Sequence, residues 1–294
     1  EIGGLFYSQI KSLYSSDKIY VKTQGNIDGG FSSCKGVKQG DTLSPLLFNL
    51  YINEITDIFN NHPDSPILNG RPINCLLYAD DLVLISTSKE GLQSHLDSLS
   101  SFCIKWKLNV NLSKSKVLIM NRSGRLITDN FSYQGTTLEC VKMYPYLGIP
   151  ITNSFSFNHI SQFFKNKGMK AAAKLKRMLL NCDVNKKLSM KLFDQLITPI
   201  CLYGCELWGL PKVNCKAFTR ATTSYKLENT FDNFVVERVL NSMAKFVLSV
   251  TKRTPTLGVL GELGHYPLSV NAVSLICKYF DRVQHSPESS LLGA

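Results

Sequence analysis

The stretch from Ile73 to Ser86 reads Ile-Asn-Cys-Leu-Leu-Tyr-Ala-Asp-Asp-Leu-Val-Leu-Ile-Ser. Two strand-length apolar runs meet at Ala79-Asp80-Asp81, and aliphatic residues on both faces are what buried strands require. One reading of the acids is a surface turn, because Asp bonds its own backbone there. The other is a metal loop. Stiff flanks would hold the paired carboxylates, and Mg²⁺ selects such oxygens while keeping waters for substrate phosphates. Two metals about 3.5–4 Å apart clamp the attacking and leaving oxygens of an in-line displacement. Bridging two ions takes carboxylates from more than one element, so this hairpin alone is an incomplete site.

The surrounding pattern gives the hairpin a context. Lys18–Thr23 and Asn26–Phe31 are short β runs that fit a hairpin about Gly29-Gly30. Ser44 as N-cap and Pro45 at the first helical position start a helix. Leu46, Leu47, Leu50, Ile55, Ile58 and Phe59 then carry it for about four turns. Thr87-Ser88-Lys89-Glu90 is a capping box, and Leu92, Leu96, Leu99, Phe102, Cys103 and Trp106 follow at helical spacing. Lys116–Met120 reads as a further strand, closed by Asn121-Arg122-Ser123-Gly124. Helix, strand, strand, helix, strand is the split βαβ (ferredoxin-like) order with its first strand missing. Beyond Tyr146 the stretches 157–181, 186–208, 225–250 and 269–284 read as helices, with Pro199 a kink. The expected class is α+β. An incomplete ferredoxin-like module over 1–153 is followed by a helical basic region over 154–215 and a C-terminal helical region over 216–294.

Charge narrows the partners. Lys+Arg 33 against Asp+Glu 22 leaves +11 over 294 residues, which suits a polyanion such as nucleic acid. Between Lys165 and Lys191 there are nine basic residues against the single acid Asp183. Such a run is often a solvated face, but the imbalance favours phosphate contacts from Lys165, Lys167, Lys170, Lys174 and Arg177. Hydrophobic residues at 44% supply a core and exclude wholesale disorder. No apolar run reaches membrane-spanning length. The N-terminus lacks Met and a signal peptide, so the chain reads as an excised piece. Nine scattered cysteines, without a C-x-x-C pair, fit reduced thiols in the nucleus or cytoplasm. Cys201, Cys205 and Cys215 have no nearby His, so buried free thiols are expected rather than zinc. His159, His265 and His285 have no obvious partners, and Tyr203 and Trp208 are expected to fill core.

Four segments together resemble reverse transcriptases. They are Gly36-Val37-Lys38-Gln39-Gly40-Asp41-Thr42-Leu43-Ser44-Pro45-Leu46-Leu47-Phe48, then Tyr78-Ala79-Asp80-Asp81, then Trp106–Lys116, then Tyr146-Leu147-Gly148-Ile149. Their order and wording, with Pro199–Gly209 and Gly261-Glu262-Leu263-Gly264, are similar to polymerases of non-LTR (LINE-type) retrotransposons. The resemblance implies a palm followed by a helical thumb. It implies metal-side carboxylates at Asp80 and Asp81 and two Mg²⁺ in the complete enzyme. RNA template, DNA primer and dNTP would be the partners, with Gln39, Gly40, Ser44 and Tyr78 near the templating base, nucleotide and primer terminus. Lys114 is implied as general acid for pyrophosphate, with a solvated Lys as the alternative. Tyr146, Leu147 and Gly148 are implied as a primer grip, with an ordinary strand-end turn as the alternative. The family's first catalytic Asp, in a motif ending Ala-Phe-Asp, has no match here and is expected on a strand before residue 1. The isolated chain is therefore expected to be inactive. The alternative is a remnant that binds nucleic acid without chemistry.

Overall fold

The structure, a computed structural model, describes residues 3–15, 18–32, 36–59, 64–154, 156–209 and 234–286. They form a mixed helix-and-strand fold, as the α+β expectation requires, divided by contacts into Glu1–Leu108 and Asn109–Ala294. Among the described residues the strands make five two-stranded antiparallel ribbons rather than one sheet.

The first unit opens with a helix the sequence pattern did not show, α1 (Gly4–Ser15), which buries none of its residues. The ribbon β1 (Lys18–Thr23) and β2 (Asn26–Ser32) turns at Gln24-Gly25, both at positive φ, and not at Gly29-Gly30. Those two glycines lie inside β2, where Gly29 is left unpaired opposite the step from Tyr20 to Val21 of β1. A glycine pair therefore marked a bulge rather than the turn.

Helix α2 (Ser44–Ile52) is shorter than the expected four turns and passes into 3₁₀ turns at Asn53–Ile55 and Asp57–Phe59. Its N-cap is Leu43 and not Ser44, because the Ser44 hydroxyl is already engaged with the carbonyl of Lys38 at 2.5 Å. Helix α3 (Lys89–Lys105) starts one residue later than the capping box implied. Ser88 caps it, accepting from the Gly91 N–H at 2.9 Å, while the Thr87 hydroxyl donates to Asp64. Its buried face is the expected one, with Leu96, Leu99, Phe102 and Cys103 inside.

In the second unit Lys116–Met120 is not a strand. Val117 alone bridges, in parallel, to Cys140, and its neighbours lack a partner ladder. Helix α4 (Asn158–Leu180) packs on α5 (Lys186–Leu196), on two short helices, α6 (Thr198–Cys201) and α7 (Cys205–Trp208), and on the helix Glu237–Val247. The expected 186–208 helix is thus broken. Pro199 sits in the first turn of α6, where its missing N–H costs least, and Gly204 at φ +65° starts α7. The helix Thr256–Leu263 was not expected, Leu268–Gln284 was, and the 225–233 part of an expected helix lies outside the described residues. No helix described here is long and apolar enough to cross a membrane.

The core of this unit is aromatic at its centre. Phe164 stacks on Trp208 with centroids 5.8 Å apart, and Trp208 stacks on Phe234 at 5.7 Å. Trp208 is therefore core, as expected. Cys201 and Cys205 are buried free thiols, and burial pushes both pKa values up to about 12, which holds them protonated. Cys215 lies outside the described residues. The His265 expectation fails, since its Nε2 meets Asp194 Oδ1 at 2.9 Å. His285 also has a neighbour, Asp281, one helical turn back at 3.5 Å. Glu237 is buried, and its carboxylate accepts from the Ser269 N–H at 2.6 Å, capping the Leu268–Gln284 helix.

Gly168 of α4 is what lets α6 approach. A Cβ there would lie 2.4 Å from Cys201 Sγ and 3.3 Å from Val239. Overpacking of that kind costs about 1–3 kcal/mol and outweighs the gain of about 1 kcal/mol in helix propensity. Gly258, in the Thr256–Leu263 helix, has open space where a Cβ would go. Chemical denaturation should therefore show Gly168→Ala losing about 1–2 kcal/mol and Gly258→Ala gaining up to about 1 kcal/mol.

Candidate active site

The carboxylate pair stands on the hairpin of β5 (Cys75–Tyr78) and β6 (Asp81–Leu84), with Tyr78 paired to Asp81. Ala79 and Asp80 alone make the turn, and Ala79 sits at φ +51°. A non-glycine residue in that region costs about 1–2 kcal/mol, and such strain collects at functional sites. Tyr78 and both acids are exposed, and Tyr78 shows 66% of its surface. The flanks are less buried than expected, since Leu76, Leu77, Leu82 and Val83 are half-buried in a two-stranded ribbon. At its base the hairpin is tied by the Ile85 N–H to the Asn74 carbonyl at 2.7 Å.

Asp80 and Asp81 offer hard carboxylate oxygens on consecutive residues, a donor chemistry that fits Mg²⁺ as part of a larger set. Among the described residues no group of three or more His, Cys, Asp or Glu comes together as a metal site.

Gln39 and Gly40 are exposed on the loop before α2, with Gly40 at φ +88°. A Cβ on Gly40 would meet nothing, so backbone conformation rather than crowding calls for glycine. Ser44 is buried and braces the loop through Lys38 instead of facing solvent. Asp41, in sequence an unremarkable turn acid, is the hub. Its carboxylate accepts from the Tyr14 hydroxyl at 3.0 Å and from the Leu43 N–H at 3.3 Å. Lys38 lies over the Tyr14 ring at 4.9 Å and donates to the Leu13 carbonyl at 3.0 Å. The C-terminal turn of α1 thereby holds the Gln39-Gly40 loop. No local signal could have found this, because the partners lie 27 residues apart.

The remaining candidates belong to the second unit. Lys114 is exposed on a turn closed by its own N–H to the Asn111 carbonyl at 3.1 Å. Nearby Lys116 pairs with Glu139 at 2.7 Å. Tyr146, Leu147 and Gly148 lie at the tip of the hairpin β9 (Met143–Tyr146) and β10 (Ile149–Thr152), with Leu147 at φ +47° and Gly148 at φ +80°. On α4, Lys167, Lys170, Lys174 and Arg177 are exposed at i, i+3, i+7 and i+10, one stripe about 15 Å long. No acid occurs anywhere in α4. Lys165 is half-buried and off this stripe. Lys176 is engaged inward, donating to the Ser242 carbonyl at 2.8 Å, and burial lowers its pKa.

The first unit thus presents two consecutive exposed acids and a braced Gln-Gly loop, and the second a cationic helix face. Residues 5–151, half of the chain, match the reverse transcriptase (RNA-dependent DNA polymerase) family, and the chain belongs to it. It is 25% identical over 222 residues to the RNA-directed DNA polymerase from mobile element jockey of Drosophila melanogaster, covering 69% of this chain and 22% of that protein. It is 25% identical over 214 residues to a probable RNA-directed DNA polymerase from transposon BS of the same fly, covering 70% and 23%. Over 107 residues it is 33% identical to a Pol polyprotein of a type-1 retrotransposable element R2 of Nasonia vitripennis, covering 36% and 10%. The chain spans less than a quarter of the length of these relatives. The family expected from the motifs is the family found, and its relatives come from mobile elements.

The Asp41 bracing is testable by pH. The Leu43 N–H and the Tyr14 hydroxyl, with Lys38 nearby, hold the Asp41 carboxyl below its ordinary value. A depressed folded pKa means the bracing is complete above about pH 4 and is lost as the pH falls through the folded value. Hydrogen exchange over residues 36–44, corrected for intrinsic rate, should accelerate on acidification below about pH 4. Asp41→Asn should show the faster exchange already at neutral pH and lose the acid dependence.

Proposed function

We propose that this chain carries palm and thumb parts of an RNA-directed DNA polymerase, with the palm over 1–153, the thumb over 154–215 and a helical region beyond. It would add nucleotides from dNTPs to the 3′ hydroxyl of a DNA primer on an RNA template, with two Mg²⁺ in the complete enzyme. The observation that carries this reading is the Tyr78–Asp81 hairpin. In a reverse transcriptase chain, two consecutive carboxylates stand exposed, Asp80 on a two-residue turn whose Ala79 is held at a strained φ and Asp81 at the start of the strand that follows.

Bound divalent ions at such a turn neutralise charge developing on the transferring phosphoryl oxygens. The chain's own part is to present Asp80 and Asp81 without further reorganisation. Tyr78 packs beside the primer end, and Gln39 and Gly40 border the templating base and incoming nucleotide. Lys114 donates a proton to departing pyrophosphate. Leu147 and Gly148 hold the primer strand, and the α4 stripe contacts phosphates along the duplex, without sequence preference and with strong salt dependence. Free buried thiols such as Cys201 and Cys205 suit a reducing nuclear or cytoplasmic setting.

A second reading is a remnant that binds nucleic acid without chemistry, favoured by a cationic stripe that owes nothing to the carboxylates. Primer extension separates the two. The 294-residue chain alone should extend no primer, since two carboxylates leave the ion set incomplete, and robust extension by it would overturn that point. A longer form of the chain should extend primers under the first reading and stay inert under the second. In that form Asp80→Asn should lower extension at least about 10²–10⁴-fold, several kcal/mol of transition-state stabilisation. Reversing charge at Lys174 and Arg177 should weaken duplex binding and flatten the log–log salt slope by about 2. An unchanged slope would remove α4 from the interface.

A further inference from the structure

The turn at Leu147-Gly148 cannot be held by its own hairpin. Isolated two-stranded ribbons are marginal in water, and Leu147 adds the cost of a left-handed residue. Next to the turn, Pro145 faces Pro150 across the ladder. Two prolines exchange no N–H···O bond, so this pair is of the non-hydrogen-bonded kind, and both outer edges are closed to strand addition. Support has to come from a face.

Tyr203 supplies it. Its hydroxyl donates to the Leu147 carbonyl at 2.9 Å, and its ring lies under Gly148, where a Cβ would come within 3.5 Å of it. Beside it Ile149 packs so closely on Gly204 that a Cβ there would meet Ile149 Cδ1 at 2.6 Å. The Tyr203 backbone is pinned in turn, because Trp208 Nε1 donates to its carbonyl at 3.0 Å. The ring also continues the core row, with its centroid 5.9 Å from that of Phe164. Phe234, Trp208, Phe164 and Tyr203 thus form one aromatic line from the buried centre to the surface turn, and only its last member is exposed, at 50%. Simple filling of space would be served by Phe; the hydroxyl is used on the turn.

We infer that Tyr203 is a positioning residue that fixes the Leu147-Gly148 turn against the helical core, so that the turn meets a primer terminus already ordered. The inference rests on the primer-holding role proposed for that turn, but its structural half can be tested separately. The 294-residue chain and its Tyr203→Phe variant would be compared by thermal melting, by hydrogen exchange, and by anisotropy with a recessed-end template–primer and a blunt duplex of equal length. The expected result is a melting temperature unchanged within about 2 °C and exchange about 3–10-fold faster over 143–152 only, the scale of one exposed hydrogen bond. A preference for the recessed end over the blunt end, present in the parent, should shrink several-fold while blunt-duplex binding stays the same. Unchanged exchange in the hairpin overturns the positioning role, and so does faster exchange across the whole helical unit. Faster hairpin exchange with no change in end preference upholds the positioning role and overturns the primer-holding reading instead.

Discussion

A two-residue hairpin turn has no slack, and the candidate chemistry of this chain rests on two of them. Once Tyr78 pairs with Asp81, or Tyr146 with Ile149, the intervening residues have almost no freedom in where they point. Both turns place a non-glycine residue at positive φ, Ala79 in one and Leu147 in the other. Each is a conformation that the surroundings must impose. The reward is geometric. Groups held in advance near the positions they need in the transition state lose little freedom when a substrate arrives. The structure around each turn is best understood as what keeps it there.

The means of support differ. The acidic turn is carried by a short ribbon tied at its base to Asn74, on a background of half-buried aliphatic residues. The Gln39-Gly40 loop is held by polar contacts to α1, with Asp41 as acceptor and Lys38 as donor. The Leu147-Gly148 turn leans on an aromatic row that begins in the core. The Asp41 bracing is ionic in part and responds to pH, whereas the aromatic row is packing up to its last member, whose hydroxyl adds one directional hydrogen bond. The cationic stripe of α4 obeys a third rule, since the field of exposed charges fades within a screening length.

What was legible in the sequence follows from this. Periodic burial was legible: α3, α4 and the Leu268–Gln284 helix repeat their apolar residues at helical spacing, and each lies within a residue or two of expectation. The Ala79–Asp81 turn was legible because the apolar runs on either side left nothing else for it to be. Signals with two equivalent readings failed. Gln24-Gly25 and Gly29-Gly30 both allow positive φ, and only pairing decides which is the turn. Helix α1 was missed because it buries no residue and so carries no periodic imprint. Long-range polar partners were beyond reach altogether. Tyr14 and Asp41 are 27 residues apart, Leu147 and Tyr203 are 56, and Asp194 and His265 are 71. Nothing in a local window distinguishes such residues from ordinary surface polar groups.

The same contrast bears on how motion is distributed. Local opening is easiest where few apolar contacts are broken, and hardest where a packed core must be disrupted. In the second unit Phe164, Trp208, Phe234 and Met243 are essentially inaccessible, so the helices they join can open only at close to the cost of global unfolding. Tyr203 and the Leu147-Gly148 turn sit at the edge of that region, half in and half out. A contact placed further into the core would tie the hairpin's opening to that of the whole helical unit, and a turn with no link to the core would leave Leu147 free to relax from its strained φ. An aromatic residue with a hydroxyl at its solvent end meets both demands, since the ring shares the stability of the stack while the hydrogen bond governs only the last residues of the hairpin.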